Sequence, residues 1–275
     1  MKPAPFDYRR PASVEEAIEL LGAGEGIQRL LAGGQSLVPM LNLRLAPVDR
    51  IIDISRISTL RSVQESPDEV RYGACVPHAW FEDGRVADCA NGLLTHVAAR
   101  IAYRAVRNRG TLGGSLALAD PAADWAPVMV LLRAKFVLAS RTGSRSVPAQ
   151  EFFRGSYTTA AREDELLTAI CVPRLAVGAR WGYVKVTRKT GEYASSLALA
   201  LIDPHSGEAR VVAGAVSGPP LVLDGVAKLL GARPNDATLR EAALHALDAA
   251  KRNFSSAMRH VHAATIVRAA KQVVS

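Results

Sequence analysis

The residues best placed to do chemistry in this 275-residue chain are two glycine pairs with hydroxyl neighbours. The first is Ala32-Gly33-Gly34-Gln35-Ser36-Leu37 and the second Thr111-Leu112-Gly113-Gly114-Ser115. A glycine pair lets backbone N–H groups come close to an anion with no side chain in between. Two such loops, distant in sequence and converging in space, can grip a diphosphate from both sides. Gly33, Gly34, Gln35 and Ser36 are the expected donors on one side, with the Ser36 hydroxyl added, and Thr111, Gly113, Gly114 and Ser115 on the other. Each N–H donated to an ionised phosphate is worth about 1.5–3 kcal/mol. Neither loop has the helix-opening G-x-G-x-x-G spacing or the Lys of a phosphate loop, so the local sequence does not support a nicotinamide or ATP site.

The flanks of these loops carry a resemblance. Leu31-Ala-Gly-Gly-Gln-Ser-Leu-Val-Pro-Met-Leu-Asn-Leu-Arg-Leu45 and Arg107-Asn-Arg-Gly-Thr-Leu-Gly-Gly-Ser-Leu-Ala-Leu-Ala-Asp-Pro-Ala-Ala-Asp124 resemble the two FAD loops of the medium subunits of molybdenum hydroxylases, the carbon monoxide dehydrogenase and xanthine dehydrogenase group. Lys185-Val-Thr-Arg-Lys-Thr-Gly-Glu-Tyr-Ala194 is a third match, and the likeness covers nearly the whole chain. Asn42 and Leu118 depart from it, standing where relatives often carry a basic residue and a His or Asn.

The resemblance implies an α+β fold. A two-part FAD-binding domain of the PCMH (vanillyl-alcohol-oxidase-like) type spans 1–173, with subdomains of about 1–55 and 56–173. A smaller C-terminal domain, 174–275, follows. It also implies an oxidoreductase subunit holding FAD, with a molybdopterin-type cofactor in a large partner subunit and two [2Fe–2S] clusters in a small one. Electrons pass from those clusters to the flavin and on to an external acceptor, in an assembly that is commonly a dimer of heterotrimers. By the same likeness Asp124 is an adenosine- or ribose-side contact, Leu167 an apolar contact, Lys185 a cation reaching the flavin and Tyr193 an aromatic near its ring. Each has a plainer reading: a helix cap for Asp124, core for Leu167, an edge-strand lysine and a strand-end tyrosine. Asp120 followed by Pro121 suits a helix N-cap with Pro at N1. With no His or Cys in either glycine loop, the flavin is expected to be non-covalent. The alternative function is a stand-alone FAD-dependent oxidase or dehydrogenase of a small molecule, although no catalytic base is evident beside the flavin motifs.

Composition narrows the field. The net charge of +8 and the cluster Arg100, Arg104, Arg107 and Arg109 invite a nucleic-acid reading, but aromatics make up only 5% of the chain and base-stacking platforms are few. The arginines are read instead as charge near a diphosphate or a docking face. No apolar run approaches the length of a membrane span, and the N-terminus has no signal-peptide region, so a cytoplasmic protein is expected. Cys75, Cys89 and Cys171 are isolated, which suits buried thiols and not a cluster. The six histidines are scattered without metal-ligand spacing.

The elements that must position the loops follow from pattern. Ser13-Val-Glu-Glu16 is a capping box opening a short helix that Gly22, Gly24 and Gly26 end. Strands are expected at 28–32 and 50–54, then 69–75, 135–140, 146–152 and 166–172, with helices at 77–83, 93–104 and 122–133. Strands at 180–188, 196–203 and 209–217 predict a three-stranded antiparallel sheet, with Asp203-Pro-His-Ser-Gly207 as a hairpin turn. Helices over 222–230, 237–250 and 257–273 cover it.

Overall fold

The computed structural model describes residues 2–22 and 26–274. The capping box forms at the first helix, Val14–Gly22: the Glu16 N–H donates to Ser13 Oγ at 3.2 Å, while its carboxylate accepts from the Ala12 N–H at 2.7 Å. Ala17 and Ile18 turn inward, Gly22 ends the helix, and Gly24 lies outside the described residues. Three short parallel strands follow the order Asp7–Arg9, Arg50–Asp53, Gln28–Leu31. The Asp7–Arg9 strand has no signature in the sequence, being three residues long and mostly solvent-facing. The first glycine loop leaves the end of Gln28–Leu31 and enters the helix Leu37–Asn42, where Pro39 falls in the opening turns.

A five-stranded antiparallel sheet comes next, in the order Val63–Glu65, Glu69–Gly73, Leu166–Pro173, Lys135–Ser140, Gly143–Pro148. The expected strand over 146–152 is corrected here. Gly143, at φ +128°, sharpens a hairpin so that the strand begins earlier, and after Pro148 the chain coils into the helix Ala149–Phe152. The helix expected over 93–104 is two, Leu93–Ala98 and Arg104–Arg107. Between them Ala102 sits at φ +44°, and the Arg107 guanidinium donates to the Ile101 and Ala102 carbonyls at 3.0 Å each. The helix expected from residue 122 begins at Trp125, because the Asp120 carboxylate takes the Ala122 N–H in a turn of its own.

The C-terminal sheet has four strands and not the expected three: Arg180–Val186, Ser196–Ile202, Ala209–Gly214 and the two-residue Leu221–Val222, which pairs with Ala213 and Val212. A two-residue strand just after Pro219-Pro220 is too short to leave a periodic signal. His205 sits in the hairpin turn, whose Asp203 carboxylate accepts its N–H at 2.9 Å. The sheet is buried on both faces. Val184, Ala198, Ala200, Val211 and Ala213 meet the helices Asp236–Ala249 and Ser256–Val274, while Tyr183, Leu197, Leu199, Leu201 and Val212 join the core of the central sheet. This alternation is the strand's period of two made visible, and it carries one core across Pro173. All three cysteines are buried thiols.

Candidate active site: a cleft between two glycine loops

The two glycine loops touch through their backbones. A Cβ placed on Gly33 would overlap the Arg109 carbonyl and come within 2.8 Å of the Gly110 Cα. Gly34 holds φ +73°, a conformation that favours glycine. On the other loop, a Cβ at Gly113 would stand 2.6 Å from the Ala74 carbonyl oxygen, and one at Gly114 would lie 2.7 Å from Thr111 Oγ1. The first loop is thus seated on the second, and the second on the central sheet.

Their junction opens into a cleft of about 790 Å³, within the range of small-molecule and cofactor sites. Ala32, Gly33, Gly34, Gln35, Ser36 and Leu37 line it, as do Thr111, Gly113, Gly114 and Ser115. Asp124, Leu167, Lys185 and Tyr193 do so as well. Of the residues expected to bind the cofactor only Leu112 is absent from the lining, and Arg100, Arg104, Arg107 and Arg109 do not line it either. Leu112 is fully buried, with its N–H donated to the Val76 carbonyl at 3.0 Å.

The loops differ in what they offer. In the first, the N–H groups of Gly33, Gly34, Gln35, Ser36 and Leu37 meet no protein acceptor among the described residues. In the second the donors are spent. Gly113 N–H goes to the Ala74 carbonyl at 2.8 Å, Gly114 N–H to Thr111 Oγ1 at 3.1 Å, and Ser115 N–H to the Thr111 carbonyl at 3.0 Å. Thr111 caps the helix Leu112–Leu118 and alone there keeps a free N–H among the described residues. The symmetric cradle expected from sequence is therefore corrected. One loop donates; the other packs closely and presents hydroxyls.

Beneath the second loop lies His78, which sequence reasoning passed over. Its backbone N–H donates to the Gly110 carbonyl at 2.9 Å, and its ring Nδ1 accepts from Trp125 Nε1 at 3.0 Å. Burial, with Arg107 nearby, pushes its pKa down to about 3, so the ring is neutral.

At the other end of the cleft, Asp124 is 4% exposed and its carboxylate is occupied from within the protein. Lys185 Nζ donates to Oδ2 at 2.9 Å and the Tyr183 hydroxyl to Oδ1 at 2.5 Å. Burial pushes the Asp124 pKa up, against the pull of Lys185 and Tyr183. Tyr183 lies two residues before Lys185 on one strand, a spacing from which its place could have been read. Asp120 is not a helix cap; it accepts from the Tyr157 hydroxyl at 3.1 Å and from the Ala122 N–H at 2.9 Å. Tyr157 also lines the cleft, and no signal in the sequence marks it. Tyr193 is 58% exposed at the rim, its hydroxyl pKa raised by desolvation and by Asp120. Leu167 reaches the cleft at a β-bulge between Leu167 and Ala169, a device that re-aims a strand side chain.

Two members of the arginine cluster are already taken by carboxylates. Arg104 pairs with Glu82 and Asp83 at 2.8 and 2.6 Å, and Arg107 pairs with Glu82 at 2.7 Å. These contacts hold the Glu82 and Asp83 carboxyls below their usual range.

Residues 4–175 match the family described as the FAD binding domain in molybdopterin dehydrogenase. The chain belongs to that family. Its cofactor is FAD, and it is the FAD subunit of an oxidoreductase of the molybdenum hydroxylase type. It is 41% identical over 196 residues to the carbon monoxide dehydrogenase medium chain of Hydrogenophaga pseudoflava, covering 71% of this chain and 68% of that one. To the glyceraldehyde dehydrogenase medium chain of Sulfolobus acidocaldarius it is 42% identical over 202 residues, 73% of this chain and 71% of the relative. Among solved structures, carbon monoxide dehydrogenase from Hydrogenophaga pseudoflava lacking the Mo-pyranopterin moiety superposes with a TM-score of 0.91 at 32% identity, over 99% of this chain and 98% of that one. Quinoline 2-oxidoreductase from Pseudomonas putida 86 gives 0.90 at 33% identity, over 100% and 98%. The cleft's own chemistry fits FAD. A row of unspent N–H groups suits a diphosphate, and apolar walls at Leu167, Met40 and Pro47 suit the rings at either end.

No described helix is long and apolar enough to cross a membrane.

Proposed function

We propose that this chain is the electron-transfer subunit of a three-component molybdenum hydroxylase. In this reading it takes electrons from the [2Fe–2S] clusters of a small partner and passes them to an external acceptor, while a large partner with a molybdopterin-type cofactor oxidises the substrate. The observation that carries the reading is the row of free donors from Gly33 to Leu37, set where the two glycine loops meet in one cleft. FAD supplies the redox chemistry when bound, accepting electrons singly and releasing them in pairs.

The residues of the chain do the holding. The backbone of Gly33, Gly34, Gln35, Ser36 and Leu37 binds the diphosphate, with the Ser36 hydroxyl beside it. The Thr111 and Ser115 hydroxyls face it from the second loop, and Gly113 and Gly114 let that loop come close. Leu167 packs on a ring, Lys185 sets a cation at the cleft wall, and Tyr193 covers the rim. Residues 1–173 form the cofactor domain, and residues 174–275 add Lys185 and Tyr193 to its wall. Relatives named for carbon monoxide, glyceraldehyde, nicotine and caffeine share this kind of subunit, which supports placing substrate choice in the large partner.

The test is to express the chain alone and with its partner subunits. Non-covalent FAD, released on denaturation, is expected. Bleaching of the flavin by substrate is expected only in the assembled complex. Bleaching of the isolated chain by a small molecule would overturn the subunit reading in favour of a stand-alone enzyme.

A further inference from the structure

Lys185 is held from two sides at the wall of the cleft. Its ammonium donates to Asp124 at 2.9 Å and to the Arg100 carbonyl at 3.2 Å. An ammonium has three donors, so one remains for whatever occupies the cleft. The carboxylate that anchors it is itself anchored by the Tyr183 hydroxyl at 2.5 Å.

Tyr183 is fixed more firmly than a strand residue needs to be. Its ring stands edge-on to His96, at 5.4 Å between centroids, and His96 packs in turn on Trp181 at 4.9 Å. Its backbone N–H donates to Gln272 Oε1 at 2.7 Å. Asp124 is placed independently, at the cap position of the helix Trp125–Leu131. A strand, a helix start and the turn at Arg100 thus converge on one ammonium group.

We propose that Tyr183 and Asp124 are positioning residues that hold the Lys185 ammonium toward the cofactor in the cleft. An ammonium left free on a four-carbon stem would spread over many rotamers and turn to water. The Tyr183 hydroxyl orients the buried carboxylate, and that carboxylate keeps the lysine in place. Pinned there, the positive charge favours the reduced, more electron-rich state of the bound group. This inference rests on the reading of the cleft as the FAD site.

The test uses the FAD-loaded full chain and reads the midpoint potential of the bound FAD. Lys185→Met is expected to make reduction about tenfold less favourable, about 30 mV for a two-electron couple. Tyr183→Phe, which removes one hydroxyl, is expected to shift it about threefold in the same direction. In the Lys185→Met background, Tyr183→Phe should add nothing. A Tyr183→Phe shift that persists undiminished without Lys185, or no shift in its presence, would overturn the proposal.

A second readout needs no flavin. Reductive methylation of Lys185 in the full chain, followed by peptide mass spectrometry, should run at least threefold faster in Tyr183→Phe than in the native protein. Equal rates would show that Tyr183 does not hold the lysine. Failure of the native chain to take up FAD would count against the function proposed above, while the methylation rates would still decide the positioning role.

Discussion

The loops at Gly33 and Gly113 look alike in sequence and do different physical work. Five successive N–H groups of the first are unspent among the described residues, whereas the second gives its own to Ala74 and Thr111. The difference comes from what each loop leans on. The second is stitched to the central sheet through Ala74 and Val76, so its donors were already claimed. The first rests on the second through close glycine contact and lines the cleft with its donors unspent. A glycine pair can therefore mark an anion cradle or a point of close packing.

The largest effect expected from breaking this contrast is at Gly33. Gly33→Ala puts a methyl group into the Arg109 carbonyl and prises the loops apart, so FAD affinity should fall at least 100-fold, about 2.7 kcal/mol. Fluorescence titration with FAD measures it, and an unchanged affinity would remove the first loop from the site. Gly113→Ala should act on the fold instead. The added carbon meets Ala74, and overpacking of this kind costs about 1–3 kcal/mol, visible as a lower urea midpoint.

The scaffold under the second loop carries a pH signature. The folded pKa of His78 is pushed down to about 3 against an ordinary 6.5, so the unfolded chain binds the extra proton between those values. Stability is full above the ordinary value and falls as pH drops below it, by up to about 1.4 kcal/mol per pH unit from this group. His78→Asn, which keeps an acceptor for Trp125, should flatten the slope by about half a proton at pH 6.5, rising to nearly one at pH 5. Urea midpoints across that window decide it, and an unaltered slope would place the titration elsewhere. Thr111→Ala is the smallest change. It removes the cap on Leu112–Leu118 at a cost of about 1 kcal/mol and frees the Gly114 N–H. Stability should drop and FAD affinity should fall a few-fold with it; an unchanged affinity would take the Thr111 hydroxyl off the cofactor.

What could be read in advance was local or periodic. The capping box, the hairpin turn at Asp203 and the strands from Lys135, Leu166 and Ser196 each carry their signal in residues a few positions apart. What escaped was set by single side-chain or edge contacts that leave no periodic pattern. Arg107 breaks a helix by gripping the Ala102 carbonyl, and Asp120 turns a helix start into a turn. The Leu221–Val222 strand exists only because Val212 and Ala213 offer it an edge.

By itself the sequence determined that two small-residue loops exist, that the chain belongs with the FAD subunits of oxidoreductases, and that it alternates strands with helices. Glycine's lack of a side chain is a property of the residue, so the capacity for close approach is written at each position. Which N–H groups stay free was decided by the tertiary structure, as was the seat of Lys185 between Asp124 and Arg100. A donor's availability depends on whether another part of the chain has already taken it, and only the folded arrangement brings those competitors within 3 Å.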